Sequence, residues 1–226
     1  MNQSKKQLIE AEKKAAKLFE EIESNGLLAS GRTEKEINTA IFALAFELFG
    51  IEKYWHKRIV RAGKNTLKPY DENPENLTLQ PGDILFIDFG PIFEDWEADF
   101  GRTYVLGNDP LKLKLAQDVE RAWWDGKAYF EQQKKITGAE LYKYCHTLAQ
   151  KYGWEFGGEI GGHLIGHFPH ERLEKEDKTN YIHPENTIDM RALDQKGQER
   201  NWSLEIHFVD KEKEIGGFFE QLMTTQ

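Results

Sequence analysis

An aspartate closes an unbroken apolar run, Ile84-Leu85-Phe86-Ile87-Asp88, and a second, Asp99, follows eleven positions later in WEADFGRTY. Such a run marks a strand buried on both faces. The intervening segment, Gly90 to Glu97, reads as a hairpin connection. An antiparallel hairpin returns the chain alongside itself, so the two carboxylates are expected to face each other across the ladder. Unaided, that pairing is repulsive, and buried carboxylates need a proton or a cation between them. Three further residues of ligand type recur in similar settings: His163 in GGHLIGHFPHE, Glu205 between Leu204 and Ile206 in WSLEIHF, and Glu220 in GGFFEQLMT. Together the five point to a metal site.

The elements around these acids come in two similar sets. Leu8, Ala11, Ala15, Leu18, Phe19 and Ile22 recur at helical spacing before a stop at Gly26. Thr33 and Glu36 form a capping box for a second helix with the face Ile37, Ala40, Ile41, Leu44, Ala45 and Leu48, ended by Gly50. Pro81-Gly82 then turns into the Asp88 strand. In the second half Leu115, Val119, Ala122, Trp123 and Phe130 predict a helix in which the Trp123–Trp124 pair serves packing. Thr137 and Glu140 cap another, through Leu141, Tyr144, Cys145 and Leu148 to Gly153. Extended segments around His163, Glu205 and Glu220 follow. The order helix, helix, strand, strand-with-acid, hairpin, strand-with-acid thus occurs twice, with Asp88 expected to face Glu205 in register and Asp99 to face Glu220. A two-fold arrangement of the halves brings the four carboxylates to one centre. Residues 171–200 are polar and read as a long surface loop.

Composition excludes several classes. A net charge of −9 argues against nucleic-acid or anionic-membrane surfaces. The sequence has no apolar stretch long enough to span a bilayer, and its start lacks the apolar segment of a secretory signal, so a cytoplasmic location is expected. A single cysteine, Cys145, excludes an internal disulfide and a cysteine-based zinc cluster, and its helical setting reads as a structural, semi-buried thiol.

The motifs DILFIDFG, DFGRTY, GGHLIGHFPHE, LEIHF and FFEQLMTT resemble those of the pita-bread metallopeptidases, the superfamily of methionine aminopeptidases, Xaa-Pro aminopeptidases, prolidases and creatinases. The resemblance runs from about Gly63 onward, and the preceding helices are compatible with it. It implies an α+β fold of two pseudo-two-fold related helix-plus-sheet halves, a single catalytic domain over 1–226 with no separate N-terminal domain, and two divalent cations held by Asp88, Asp99, His163, Glu205 and Glu220. It implies further that His170 contacts the substrate carbonyl and that Glu205 shuttles the proton. The activity implied is hydrolysis of short peptides, with release of an N-terminal residue and a homodimer as one possible assembly. One imidazole with four carboxylates suits Mn, Fe, Co or Zn without choosing among them.

Departures from the pattern narrow the activity. In the loop before the first aspartate, where family peptidases carry a substrate-contacting histidine, this chain has Tyr70, which is expected to position substrate. His56 lies further upstream, and the role is not transferred to it. Ile206 stands where the family has proline, as do Arg172 and Leu173 after Glu171. These changes favour an Xaa-Pro enzyme over a methionine aminopeptidase. A three-histidine zinc site from His163, His167 and His170 is the rival ligand set, but Gly161, Gly162, Gly166 and Pro169 oppose the helix it needs. Two rival activities remain: a non-catalytic binding member of the fold, and a creatinase-like amidinohydrolase. Phe93, Trp96, Tyr70 and Trp202 are candidate pocket walls.

Overall fold

A computed structural model of the chain describes residues 3–168, 177–194 and 196–224. Helix α1, Gln3–Ser24, buries the predicted stripe from Leu8 to Ile22. Helix α2, Glu34–Phe49, starts with the expected capping box: the Thr33 hydroxyl accepts from the Glu36 amide, while the Glu36 carboxylate accepts from the Thr33 amide. Gly50 ends it in the left-handed region at φ 65°, where a side chain is strained. Leu48, expected on the buried face, is exposed, because it lies in the final turn of a helix packed on a strand only four residues long.

The strands are β1 (Ile59–Ala62), β2 (Ile84–Phe89), β3 (Ile92–Phe93), β4 (Trp96–Glu97), β5 (Phe100–Val105), β6 (Glu155–Phe156), β7 (Ser203–Asp210) and β8 (Ile215–Leu222). Six of them form one antiparallel sheet in the order β1-β2-β5-β8-β7-β6, and β3 pairs with β4 as a small side hairpin. Helices α3 (Pro110–Gln132) and α4 (Gly138–Tyr152) precede β6, and Thr137 and Glu140 complete the second capping box. The sheet order is symmetric about the β5–β8 seam, so each half holds two helices, an edge strand and an acid-bearing pair.

Strand periodicity sets which face receives what. Leu85, Ile87 and Phe89 of β2 enter the core of α1 and α2, and Leu204, Ile206 and Phe208 of β7 enter that of α3 and α4. Each such side chain contributes about 1.5–3 kcal/mol. Trp123, wholly buried, also donates its indole N–H to the Leu204 carbonyl at 2.8 Å, whereas its neighbour Trp124 is half exposed. Cys145 is fully buried, and burial pushes its thiol up to about 12, which makes it inert. Asp88, Glu205 and Glu220 occupy the alternate positions and therefore share the face turned away from the helix-packed cores.

Three expectations are corrected. Asp88 does not face Asp99 across the ladder: its Cα partners are Ile59 and Gly101, and the β2–β5 ladder ends at Phe89 opposite Phe100. The side hairpin peels away at that point, with Glu94 and Asp95 at positive φ in its turn, and Asp99 sits just beyond the last pair. Nor does Asp88 face Glu205, or Asp99 face Glu220: Glu205 and Glu220 oppose each other directly, and Gly101 stands opposite Glu220 on its other side. The loop expected on the surface at 171–200 is partly internal in its described residues, where Ile182, Asn186 and Met190 are buried. Met190 is drawn in by backbone bonding to Ile136 and by accepting from the Trp202 indole. No helix among the described residues is long and apolar enough to cross a membrane.

Candidate metal centre

Four elements converge on the open face of the sheet. β2 delivers Asp88, the side hairpin returns the chain to Asp99, and β7 and β8 carry Glu205 and Glu220 across from each other. His163 arrives on a loop laid directly over β7: the Ser203 amide donates to the His163 carbonyl at 2.9 Å and the Glu205 amide to that of Gly161 at 3.0 Å. Gly162 has φ 131°, and a Cβ there would collide with the Ser203 carbonyl, so only glycine admits this approach. The loop is also tied to the side hairpin, with the Glu97 amide donating to the Gly166 carbonyl and the Gly166 amide to the Glu97 carboxylate.

Asp99 is the hub. Its Oδ2 lies 2.9 Å from His163 Nε2 and its Oδ1 lies 3.1 Å from His56 Nε2. His163 Nε2 is also 3.5 Å from Glu220 Oε1, which accepts from the Ser203 hydroxyl at 3.0 Å. His56 Nε2 is 3.7 Å from Asp88 Oδ1, beyond hydrogen-bonding reach. That oxygen is buried and has no hydrogen-bond partner among the described residues. Two donor groups of metal-ligand type result, His56–Asp88–Asp99 and Asp99–His163–Glu220, each with its atoms within 4.8 Å of one another and both sharing Asp99. Glu205 belongs to neither. It is half-buried at the register position opposite Glu220.

The electrostatics are those of a cluster short of positive charge. Burial raises Asp88, Glu205 and Glu220 above the ordinary carboxylate range, and the neighbouring acids add to the rise. Asp99 is the exception: burial is outweighed by the His56 charge and by hydrogen bonds from both imidazoles, which bring it down to about 2. Burial alone would lower His56 and His163, but the carboxylates reverse the sign, lifting His56 to about 9 and His163 well above its usual value. A divalent cation meets this deficit better than protons on imidazole. The orphaned Asp88 oxygen and the hard oxygen-plus-imidazole donors both fit one.

The remaining candidate residues fall in different places. Tyr70 stands beside His56, with ring centroids 6.1 Å apart, and its hydroxyl accepts from the Lys57 amide at 2.9 Å. His170 lies outside the described residues. His167 is exposed and packs on Trp96 rather than joining His163, so the three-histidine set does not assemble around these two. Trp202 is a fully buried core residue, and Phe93 packs against Phe49 and lines a cleft with Lys14, Ile51 and Ile92 that includes none of the candidate metal ligands. The residue that sequence reasoning set aside is His56. Family spacing directs attention to position 70, and only the pairing of Tyr54 with Pro91 brings the Trp55-His56 turn back to the end of β2.

The sequence model of metallopeptidase family M24 matches residues 6–208. An Xaa-Pro dipeptidase of Lactobacillus delbrueckii subsp. lactis is 30% identical over 95 residues, a stretch covering 42% of this chain and 25% of that protein. The chain therefore spans about a quarter of that curated relative. Among solved structures, the Xaa-Pro dipeptidase of Bacillus anthracis superposes with a TM-score of 0.76 at 19% identity, covering 100% of this chain and 61% of its own. The methionine aminopeptidase of Thermotoga maritima gives 0.67 at 17% identity, covering 97% of both chains. At these identities the structural likenesses establish the α+β pita-bread fold.

Proposed function

The chain belongs to metallopeptidase family M24, and from that premise we propose that it is a divalent-metal-dependent peptidase releasing the N-terminal residue of short peptides, with Xaa-Pro bonds preferred. The observation that carries this reading is Asp99, a buried carboxylate with an imidazole on each oxygen, next to an Asp88 oxygen that has no hydrogen-bond partner among the described residues. Asp88, Asp99, His163, Glu205 and Glu220 would hold two cations. Bound there, divalent cations would lower the pKa of an attacking water towards neutrality and would polarise the scissile carbonyl.

The chain's own groups supply the remaining steps. Glu205, outside both tight donor groups, accepts the proton of the attacking water and returns it to the leaving amine. His170 donates to the substrate carbonyl as it becomes an oxyanion, a contact whose loss costs about 10²–10³-fold in kcat. Tyr70 positions substrate; a phenol with an unperturbed pKa of about 10 is a poor proton shuttle near neutrality. Its presence in place of a histidine weighs against a methionine aminopeptidase, and the relative named as an Xaa-Pro dipeptidase supports the Xaa-Pro preference.

The test is a peptide-library assay on protein stripped with chelator and reconstituted separately with Mn, Co, Zn and Fe. Loss of the N-terminal residue from peptides with proline second, abolished by chelator, is the expected result. Retention of peptides by the metal-loaded protein without cleavage of any would replace the peptidase by a binding member of the fold.

A further inference from the structure

We propose that His56 is itself a metal ligand, so that each of the two cations has its own imidazole. The inference rests on the metallopeptidase reading and adds a sixth protein ligand to its five. Four observations carry it.

The first is that the two histidines are built alike. His163 Nδ1 lies 2.8 Å from the carbonyl of the next residue, Leu164, and His56 Nδ1 lies 2.8 Å from that of its own next residue, Lys57. A backbone acceptor at Nδ1 fixes the tautomer that leaves the Nε2 lone pair for a metal, the usual outer arrangement of a metal-binding histidine. Each Nε2 then approaches a different oxygen of the one Asp99 carboxylate.

The second is burial. The His56 side chain is 8% exposed, against 7% for His163, so it is enclosed as a ligand is and not presented to a passing substrate. Tyr70, by contrast, is 47% exposed, and the substrate-side role stays with it.

The third is the scaffold around the ring. Trp55 stands edge-to-face with both imidazoles, 4.5 Å from His56 and 4.9 Å from His163, and its indole donates to the Ala98 carbonyl next to Asp99 at 3.0 Å. Gly90, just past the end of β2, has no side chain where a Cβ would collide with the His56 ring and the Trp55 indole. The space for His56 is thus reserved by the backbone itself.

The fourth is the orphaned Asp88 Oδ1. It lies 3.7 Å from His56 Nε2, too far for a hydrogen bond. Without a cation between them, that buried carboxylate oxygen has no hydrogen-bond partner among the described residues. A cation shared by His56, Asp88 and Asp99 satisfies that oxygen and balances the second group, Asp99–His163–Glu220.

The experiment is a calorimetric titration of Mn(II) into chelator-stripped protein, with pulsed paramagnetic resonance to detect nitrogen coupled to the bound metal. Wild type should bind two equivalents. In His56→Ala one of the two affinities should fall by about 10²-fold or more, since even the outer partners of metal ligands are worth 10–100-fold. In His163→Ala nitrogen coupling should persist, and it should vanish only in the double variant. A His163→Ala protein with no nitrogen coupling overturns the proposal, as does a His56→Ala protein that binds both equivalents as wild type does. Should His56→Ala fail to fold, the His163→Ala spectrum decides. Wild-type protein that binds no Mn(II) would remove the metallopeptidase reading itself, a result distinct from either.

Discussion

Replacing Glu205 with glutamine should make the metal-free protein more stable and shrink the stabilisation that metal adds. Glu205 and Glu220 are direct register partners on neighbouring strands. Residues so paired have Cβ atoms about 5 Å apart, and two like charges at that separation repel by about 3 kcal/mol at an effective dielectric of about 20. Burial, with the facing Glu220 charge behind it, holds Glu205 well above the ordinary carboxylate range, so the folded protein keeps a proton that the unfolded chain releases. Stability in chelator is therefore greatest near pH 5 and falls as pH rises. An unfolding entropy of about 2.1 cal/mol/K per residue makes 1 kcal/mol worth about 2 °C for a chain of 226 residues. In chelator at pH 9, Glu205→Gln should melt about 6 °C above wild type, and at pH 5 the two should coincide. With Mn(II) at about 100 times its dissociation constant, each cation adds about 2.7 kcal/mol, so two raise the wild-type melting temperature by about 11 °C. The variant should gain markedly less. Calorimetric melting at both pH values, with and without metal, reads all four corners. Equal melting temperatures in chelator at pH 9, or an undiminished gain from metal, would refute the reasoning.

Glu12 on α1 accepts from the Leu222 amide at 3.0 Å, and burial pushes its carboxyl up to about 8. Its penalty is absent at low pH and grows from about pH 4.5 to 8, so Glu12→Gln should stabilise at pH 8–9 and not at pH 5, by at most about 5 kcal/mol at about 1.4 kcal/mol per unit; an identical melting difference at both pH values contradicts this. Tyr70→Phe removes the acceptor of the Lys57 amide and should raise KM about fivefold, a hydrogen bond of about 1 kcal/mol, with a smaller change in kcat; steady-state kinetics matching the parent on every cleaved peptide would reduce Tyr70 to a bystander. Gly90→Ala should displace the Trp55-His56 turn, costing about 1–3 kcal/mol by overpacking, and a wild-type melting temperature would show that the turn yields without strain.

What the sequence makes legible is what short-range chemistry determines. The α1 stripe, both capping boxes and the glycine stops are each written within four or five consecutive residues, and all appear in the fold. The two-fold order of elements is likewise readable, because acids embedded in apolar runs mark the strands on which it turns. Register is not local. Whether Asp88 meets Asp99 or Gly101 depends on where the side hairpin leaves the ladder, and nothing in GPIFEDWEA states that the main pairing stops at Phe89. Leu48 and the 177–194 stretch are misjudged for the same reason: burial there depends on which distant element arrives, a short strand in one case and the Trp202 and Ile136 contacts in the other.

The centre divides along the same line. Asp88, His163, Glu205 and Glu220 each sit in strand or glycine contexts that advertise a costly side chain, and the structure gathers them with Asp99 on one open face. His56 carries no such advertisement, since its neighbours Trp55 and Lys57 suit an ordinary surface turn. Its place is set by the bridge from Tyr54 to Pro91, a contact between segments more than thirty residues apart. Yet the physical demand for it is already present in the acids. Each half of the molecule contributes two carboxylates, and one imidazole from the second half leaves the first half's pair, Asp88 and Asp99, with no nitrogen donor of its own. The Trp55-His56 turn, packed on the Gly90 backbone, supplies one. The asymmetry that the sequence shows, one ligand histidine for two halves, is thereby removed in space: Asp99 meets an imidazole from each half, one on each oxygen.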